Sequence, residues 1–263
     1  MVDFVSKLSY DVNDLKKLIS ILCGPDGCPW DREQTHESIR RNMLEEAYET
    51  VEAIDDKNTG YMIEELGDVL MQVMFHADIA ERANSFTLDD IADATCKKLI
   101  RRHPHVFGDL RAKDGEESLV FWEDIKRDEK HHKSISEDMR SVVRCLPELW
   151  RAEKIQKKAA KAGFDWSDHN GALDALRAEV KELEDAITND LCISEELGDL
   201  LFSAVNVARF FKIDPEEALK AASDKFITRF SFIEENAKKQ GRNLEEMSPE
   251  QMEELYRQSK LEK

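Results

Sequence analysis

In 263 residues the chain carries 56 Asp and Glu against 38 Lys and Arg, a formal net charge of −18 with an isoelectric point near 4.9. That balance excludes a general binder of nucleic-acid polymers, which needs a basic face, and a surface that docks on anionic lipid. A hydrophobic content of 41% beside 36% charged residues excludes a disordered chain and leaves one large or two small soluble domains. The N-terminal stretch from Met1 to Tyr10 has no apolar h-region, so no secretory signal is expected. The longest apolar run, Leu200 to Ala208, is broken by Ser203 and Asn206 and is far too short for a membrane span. Five cysteines, an odd number, read as reduced thiols in a cytoplasmic protein. Cys23 and Cys28 lack a second ligand pair at matching spacing, which sets aside a zinc site.

Periodic apolar stretches and only 16 Gly and Pro residues predict an all-α chain. Ile39, Met43, Ala47, Val51 and Ile54 step along one helical face, and Met62, Leu66, Val69, Leu70, Val73 and Ala77 along a second. A basic stretch with Lys98, Arg101 and Arg102 follows, then Trp122 four residues before Lys126. The polar stretch 127–140 reads as a linker. Beyond it the pattern returns: Leu173, Leu176, Val180, Leu183 and Ile187, then Leu197, Leu200, Leu201, Ala204 and Ala208, then Lys225 and Arg229, then Tyr256 and Lys260.

The recurrence is more than periodic. Glu-Glu-Leu-Gly-Asp occurs at 64–68 and at 195–199, an offset of 131; Glu46 and Glu49 match Glu179 and Glu182 at 133. Lys98 and Arg102 match Lys225 and Arg229 at 127, and Trp122 and Lys126 match Tyr256 and Lys260 at 134. Four blocks in one order with nearly equal offsets describe a tandem duplication of a unit of about 130 residues, each a bundle of four or five helices. The expected division is an N-terminal repeat over 1–126, the linker over 127–140 and a C-terminal repeat over 141–263.

Each repeat places four carboxylates in two i, i+3 pairs on successive helices: Glu46 and Glu49 with Glu65 and Asp68, then Glu179 and Glu182 with Glu196 and Asp199. If the two helices pack antiparallel through their apolar stripes, the pairs converge at one margin of the contact. Like charges so close require something positive between them. Oxygen donors without His or Cys suit Mg²⁺, or Mn²⁺, with positions left for water and phosphate. Gly67 and Gly198, each one residue before the Asp, carry the roughly 1 kcal/mol penalty of a mid-helix glycine. Their presence predicts close helix approach at the site. Lys98, Arg101, Arg102, Lys225 and Arg229 are spaced to clamp a polyphosphate, and Trp122 and Tyr256 offer faces on which a base could stack.

The ordered motifs Cys28-Pro-Trp-Asp31, Glu33-Gln-Thr-His36, Leu44-Glu-Glu-Ala-Tyr-Glu49, Glu64-Glu-Leu-Gly-Asp68, Arg102-His-Pro-His-Val-Phe107, Ala162-Gly-Phe-Asp-Trp166 and Glu195-Glu-Leu-Gly-Asp199 span almost the whole chain. Together they resemble the MazG family, nucleoside triphosphate pyrophosphohydrolases of the all-α NTP pyrophosphatase superfamily, in its two-repeat bacterial form. The resemblance implies hydrolysis of a nucleoside triphosphate between the α and β phosphates. It implies Mg²⁺ on Glu179, Glu182, Glu196 and Asp199, phosphate contacts from Lys225 and Arg229, and a nucleotide contact at Tyr256, where the family commonly has Trp. It places catalysis in the C-terminal repeat and a structural or regulatory role in the N-terminal one. The first quartet, Glu46, Glu49, Glu65 and Asp68, with Lys98, Arg102, Trp122 and Lys126, stands as a second candidate site. Glu195 and Glu182 are candidate acceptors of the attacking water's proton. A helix pair is thin as a free-standing core, so a homodimer is expected. Two alternatives remain: a helical dimerisation or regulatory module without chemistry, and a carboxylate-bridged di-iron bundle using Glu33-x-x-His36 and Glu129-x-x-His132.

Overall fold

The computed structural model describes residues 4–130 and 134–261, all-helical apart from turns and connections. The chain divides into two units between residues 130 and 131. The first contains α1 (Val12–Leu22), α2 (Pro29–Arg32), α3 (His36–Asp55), α4 (Thr59–Arg82), α5 (Leu88–Arg102), α6 (Pro104–Phe107) and α7 (Gly115–Lys130). The second contains α8 (Ile135–Arg140), α9 (Glu148–Lys161), α10 (His169–Asn189), α11 (Ile193–Phe210), α12 (Pro215–Lys239), a 3₁₀ turn at Leu244–Glu246, and α13 (Pro249–Ser259). Much of the stretch 127–140 is therefore helical: its first residues finish α7 and its last six form α8. Residues 131–133 lie outside the described residues.

The duplication is visible in the helices. α3 and α10, α5 and α12, and α7 and α13 begin at positions separated by the offsets that the sequence blocks share. In each unit the dominant pairing is the hairpin that bears the carboxylates, α3 with α4 and α10 with α11. A helix braces its second arm: α1 packs on α4, and α9 packs on α11. The starts follow local chemistry. Asp11, Thr35, Thr87 and Ser248 close capping boxes, while Asn58, Asp168 and Asp214 accept from the first free backbone amides of α4, α10 and α12. In the first unit Ile19, Cys23, Ile39, Met74 and Phe75 form the buried core, flanked by Leu15, Leu22, Leu70 and Ile79. A smaller core in the second unit joins Ile233, Ala237, Met247 and Leu255 of α12 and α13.

The Ala162-to-Trp166 motif anchors α11. Asp165 takes two hydrogen bonds from the Arg209 guanidinium, at 3.0 and 2.5 Å, and these pull its carboxyl below the ordinary aspartate range. Trp166 lies so close to Gly171 that a Cβ there would stand 3.0 Å from the indole. A side chain at Gly171 would therefore have to shift the Trp166 indole by a few tenths of an ångström.

Only three residues join α10 to α11, and two of them, Asp190 and Cys192, hold φ of 54° in the left-handed region. A non-glycine residue there costs about 1–2 kcal/mol, and Gly is also a good N-cap. Cys192→Gly is expected to stabilise the protein by about 0.5–1 kcal/mol after its larger unfolded-state entropy is counted. Cys192→Ala, which keeps the Cβ, should gain nothing by comparison. Thermal and urea melts of the two variants check this.

Candidate metal centre

The hairpins place their carboxylates inside the helix contact and leave much of the apolar stripe outside it. On α3 the face toward α4 runs from Ile39 through the half-buried Glu46 to the buried Thr50 and Ala53, while Val51 and Ile54 are exposed. On α10 it runs through Ala172, Leu176, Glu179, Leu183 and Ala186, while Val180 and Ile187 are exposed. The contact thus holds both: part of each stripe, including Leu70, Val73, Leu176 and Leu183, is half-buried, and the carboxylates enter the contact beside it. The small or short residues Thr50, Ala53, Ala172 and Ala186 line the carboxylate side of the contact, while Val51, Ile54, Val180 and Ile187 of the stripes are exposed. Close approach as the reason for Gly67 and Gly198 is corrected, because a Cβ at either position would meet nothing within 4 Å.

Within each unit three carboxylates gather. Oxygen atoms of Glu46, Glu49 and Glu65 lie within 4.8 Å of one another, as do those of Glu179, Glu196 and Asp199. The first trio takes two members from α3 and one from α4; the second takes one from α10 and two from α11. The fourth member of each quartet stands within electrostatic reach. Asp68 raises the pKa of Glu46 and Glu65, and Glu182 raises those of Glu179 and Glu196. In all four raised groups loss of hydration is the largest cause, and repulsion by neighbouring carboxylates adds to it. Glu195, in the first turn of α11, is exposed and adds its field to Glu196.

Two positions absent from the sequence motif join the site. Gln72 hydrogen-bonds Glu46, and Ser203 hydrogen-bonds Glu179, in each case favouring the ionised carboxylate. They are separated by the same 131 residues as the two Glu-Glu-Leu-Gly-Asp strings, which was the available signal. The first unit buries its site more deeply. Glu65 is 5% exposed, and its Oε2 and the Oε1 of Gln72 are buried without a hydrogen-bond partner. A buried carboxylate oxygen without a donor, among other carboxylates, fits a divalent cation bound through hard oxygen ligands.

The basic residues occupy the helices that follow. Lys98 and Arg102 lie on α5, and Lys225 and Arg229 on α12; both lysines are exposed. The two aromatic residues face the chain's own cations. Arg102 lies 5.1 Å and Lys126 4.6 Å from the Trp122 ring centre, while Arg229 lies 5.6 Å and Lys260 4.9 Å from that of Tyr256. Each ring thus positions the arginine of its own repeat. The di-iron reading finds little support. His36 starts α3 with its Nδ1 2.8 Å from that of His76, and Glu129 is paired with arginines; His132 lies outside the described residues.

A raised carboxylate pKa means that the folded state binds protons more tightly than the unfolded chain. The associated stability is fully present below pH 4.5, the ordinary glutamate value, and is lost as pH rises through the folded values. With EDTA, the thermal midpoint should therefore fall between pH 5 and pH 7.5 through this contribution. Saturating Mg²⁺ or Mn²⁺ should raise it by about 5 °C at pH 7.5 and by less at pH 5, where protons compete. Scanning calorimetry at both pH values measures the difference.

Comparison with known proteins places the same residues in a family context. The model of the MazG nucleotide pyrophosphohydrolase domain matches residues 34–107 and again residues 167–231, stretches that contain both quartets. The chain is 45% identical over 247 residues to the nucleoside triphosphate pyrophosphohydrolase/pyrophosphatase MazG of Thermotoga maritima, covering 94% of each chain. It is 39% identical over 257 residues to the nucleoside triphosphate pyrophosphohydrolase of Escherichia coli K12, covering 95% of this chain and 98% of that one. It is also 47% identical over 256 residues to the uncharacterized protein YabN of Bacillus subtilis, where it covers 96% of this chain but 52% of the relative.

Proposed function

The chain belongs to the MazG nucleotide pyrophosphohydrolase family, and from that premise we propose that it hydrolyses nucleoside triphosphates between the α and β phosphates, with the second repeat as the catalytic one. The observation that carries this reading is the gathering of Glu179, Glu196 and Asp199 oxygens within 4.8 Å, with Glu182 in electrostatic reach. Those four residues would hold Mg²⁺, with Mn²⁺ as a substitute. The bound ion would offset the triphosphate's charge and lower the pKa of a coordinated water. Glu195 or Glu182 accepts the proton of the attacking water. The water oxygen bonds to the α-phosphorus, the bond from that phosphorus to the bridging oxygen breaks, and the products are a nucleoside monophosphate and pyrophosphate. Lys225 and Arg229 neutralise the leaving pyrophosphate, with Tyr256 holding the Arg229 guanidinium. Turnover of this kind suits the clearing of unwanted nucleotides from the pool. The buried, unpaired Glu65 oxygen supports a second metal site on Glu46, Glu49, Glu65 and Asp68.

Asp199→Ala is expected to lower pyrophosphate release from nucleoside triphosphates by at least about 100-fold, whereas Asp68→Ala keeps most of it. The assay is pyrophosphate release with Mg²⁺. Full activity in Asp199→Ala moves catalysis to the first repeat, and no hydrolysis of any nucleoside triphosphate by the parent chain favours a non-catalytic module.

The same reading includes a cytoplasmic homodimer. Among the described residues no helix is long and apolar enough to cross a membrane. The outward stripes expose Val51, Ile54, Ile63 and Leu66 in one unit and Val180, Ile187, Leu197 and Leu201 in the other, surface that a second copy would cover. Light scattering should return twice the 30.3 kDa chain mass, and Val51→Lys combined with Leu201→Lys should shift it toward the single chain.

A further inference from the structure

In the first unit the cationic clamp already holds an anion of its own chain. Glu129, one residue before the end of α7, accepts from Arg101 Nε at 2.6 Å through Oε1 and from Arg102 Nη2 at 2.6 Å and Nε at 3.1 Å through Oε2. Arg102 is mostly buried, with its guanidinium also over Trp122. Trp122, Lys126 and Glu129 are spaced i, i+4, i+7, so they share the face of α7 that meets α5. Oε2 sits in the fork made by Nε and Nη2 of Arg102 while Oε1 faces Arg101, and phosphate oxygens bind guanidinium forks in the same manner. In the second unit Arg229 lies over Tyr256 and forms no ion pair among the described residues. The shared offset of 134 aligns Glu129 with Lys263, a residue of opposite charge outside the described residues.

We propose that Glu129 is an internal competitor for phosphate. It fills the Arg101–Arg102 clamp, so a polyphosphate binds the first repeat only by displacing it, while Arg229 of the second clamp has no ion-pair partner among the described residues. The inference rests on the reading that the paired basic residues of each repeat meet phosphate. It accounts for two repeats with complete carboxylate quartets but differently disposed arginines. The arginines hold the Glu129 carboxyl at a pKa of about 2, so it stays charged through the pH range of normal handling, and the competing anion displaces it without any help from protonation. A purely structural ion pair would have no bearing on anion affinity.

The test is calorimetric titration of the full chain with inorganic tripolyphosphate and Mg²⁺, in a Lys225→Ala, Arg229→Ala background that disables the second clamp. Glu129→Gln is expected to bind at least fivefold more tightly than the background protein, and Arg102→Ala added to it should abolish the gain. Glu129→Lys, which installs the charge found at position 263, should give a gain at least as large. It keeps the test decisive if the glutamine variant folds poorly. Unchanged or weaker binding in the folded variants overturns the proposal. Nucleotide hydrolysis by Glu129→Gln with Lys225 and Arg229 intact reports on the proposed function separately: if it persists while the affinity gain is absent, only the competitor role is lost.

Discussion

Three carboxylates held within 4.8 Å of one another are the constraint around which each unit is organised. Lost hydration, with mutual repulsion added, raises the pKa of their most enclosed members, so in the absence of a cation the clusters work against the fold at neutral pH. The hairpins tolerate them because the rest of each contact is short and well packed. Thr50 and Ala53 in one unit, and Ala172 and Ala186 in the other, bring the paired helices together on the carboxylate side. α1 and α9 brace the second helix of each pair from another direction. Gln72 and Ser203 add one favourable hydrogen bond each to the ionised form.

Turning the carboxylates inward leaves part of the bulky apolar stripe outside. The exposed Val51, Ile54, Leu66, Val180, Leu197 and Leu201 lie on the same helices as the acidic sites. A helix has only one face toward its neighbour, so carboxylates placed on it displace part of the stripe, although Leu176 and Leu183 stay half-buried beside Glu179. The acidic chemistry and the unpartnered apolar surface are therefore two results of one rotation. The aromatic residues follow a similar economy of position: Trp122 and Tyr256 stand against arginines of their own repeats and set where those guanidinium groups sit.

The repeats are alike in plan but differ in detail. The first site is more deeply buried, with carboxylate and amide oxygens left without donors, and its arginines are engaged by Glu129. The second is more open, with Glu196 only half-buried and Arg229 on its tyrosine. These differences come from residues outside the shared motifs. Glu129 belongs to neither carboxylate quartet, and its partners are 27 and 28 positions away in the chain. Gln72 and Ser203 are chemically unlike, so matching residue types could not pair them, although their common offset could.

The sequence by itself determined the helices, the duplication and the spacing of the paired carboxylates. Those depend on spacing along one chain: i, i+3 pairs and apolar periods are local properties, and a repeated order of blocks is read directly. Only the tertiary structure decided which helical face turns inward. The apolar stripe of α3 and the carboxylate row beside it are separated by a modest rotation, and periodicity alone favours burying the stripe. Side-chain size at Thr50, Ala53, Ala172 and Ala186, and the bracing by α1 and α9, bring the carboxylate row in beside half-buried stripe residues such as Leu176 and Leu183. Likewise, open space around Gly67 and Gly198 and the capture of Arg102 by Glu129 depend on how helices distant in sequence lie against each other, which no local spacing encodes.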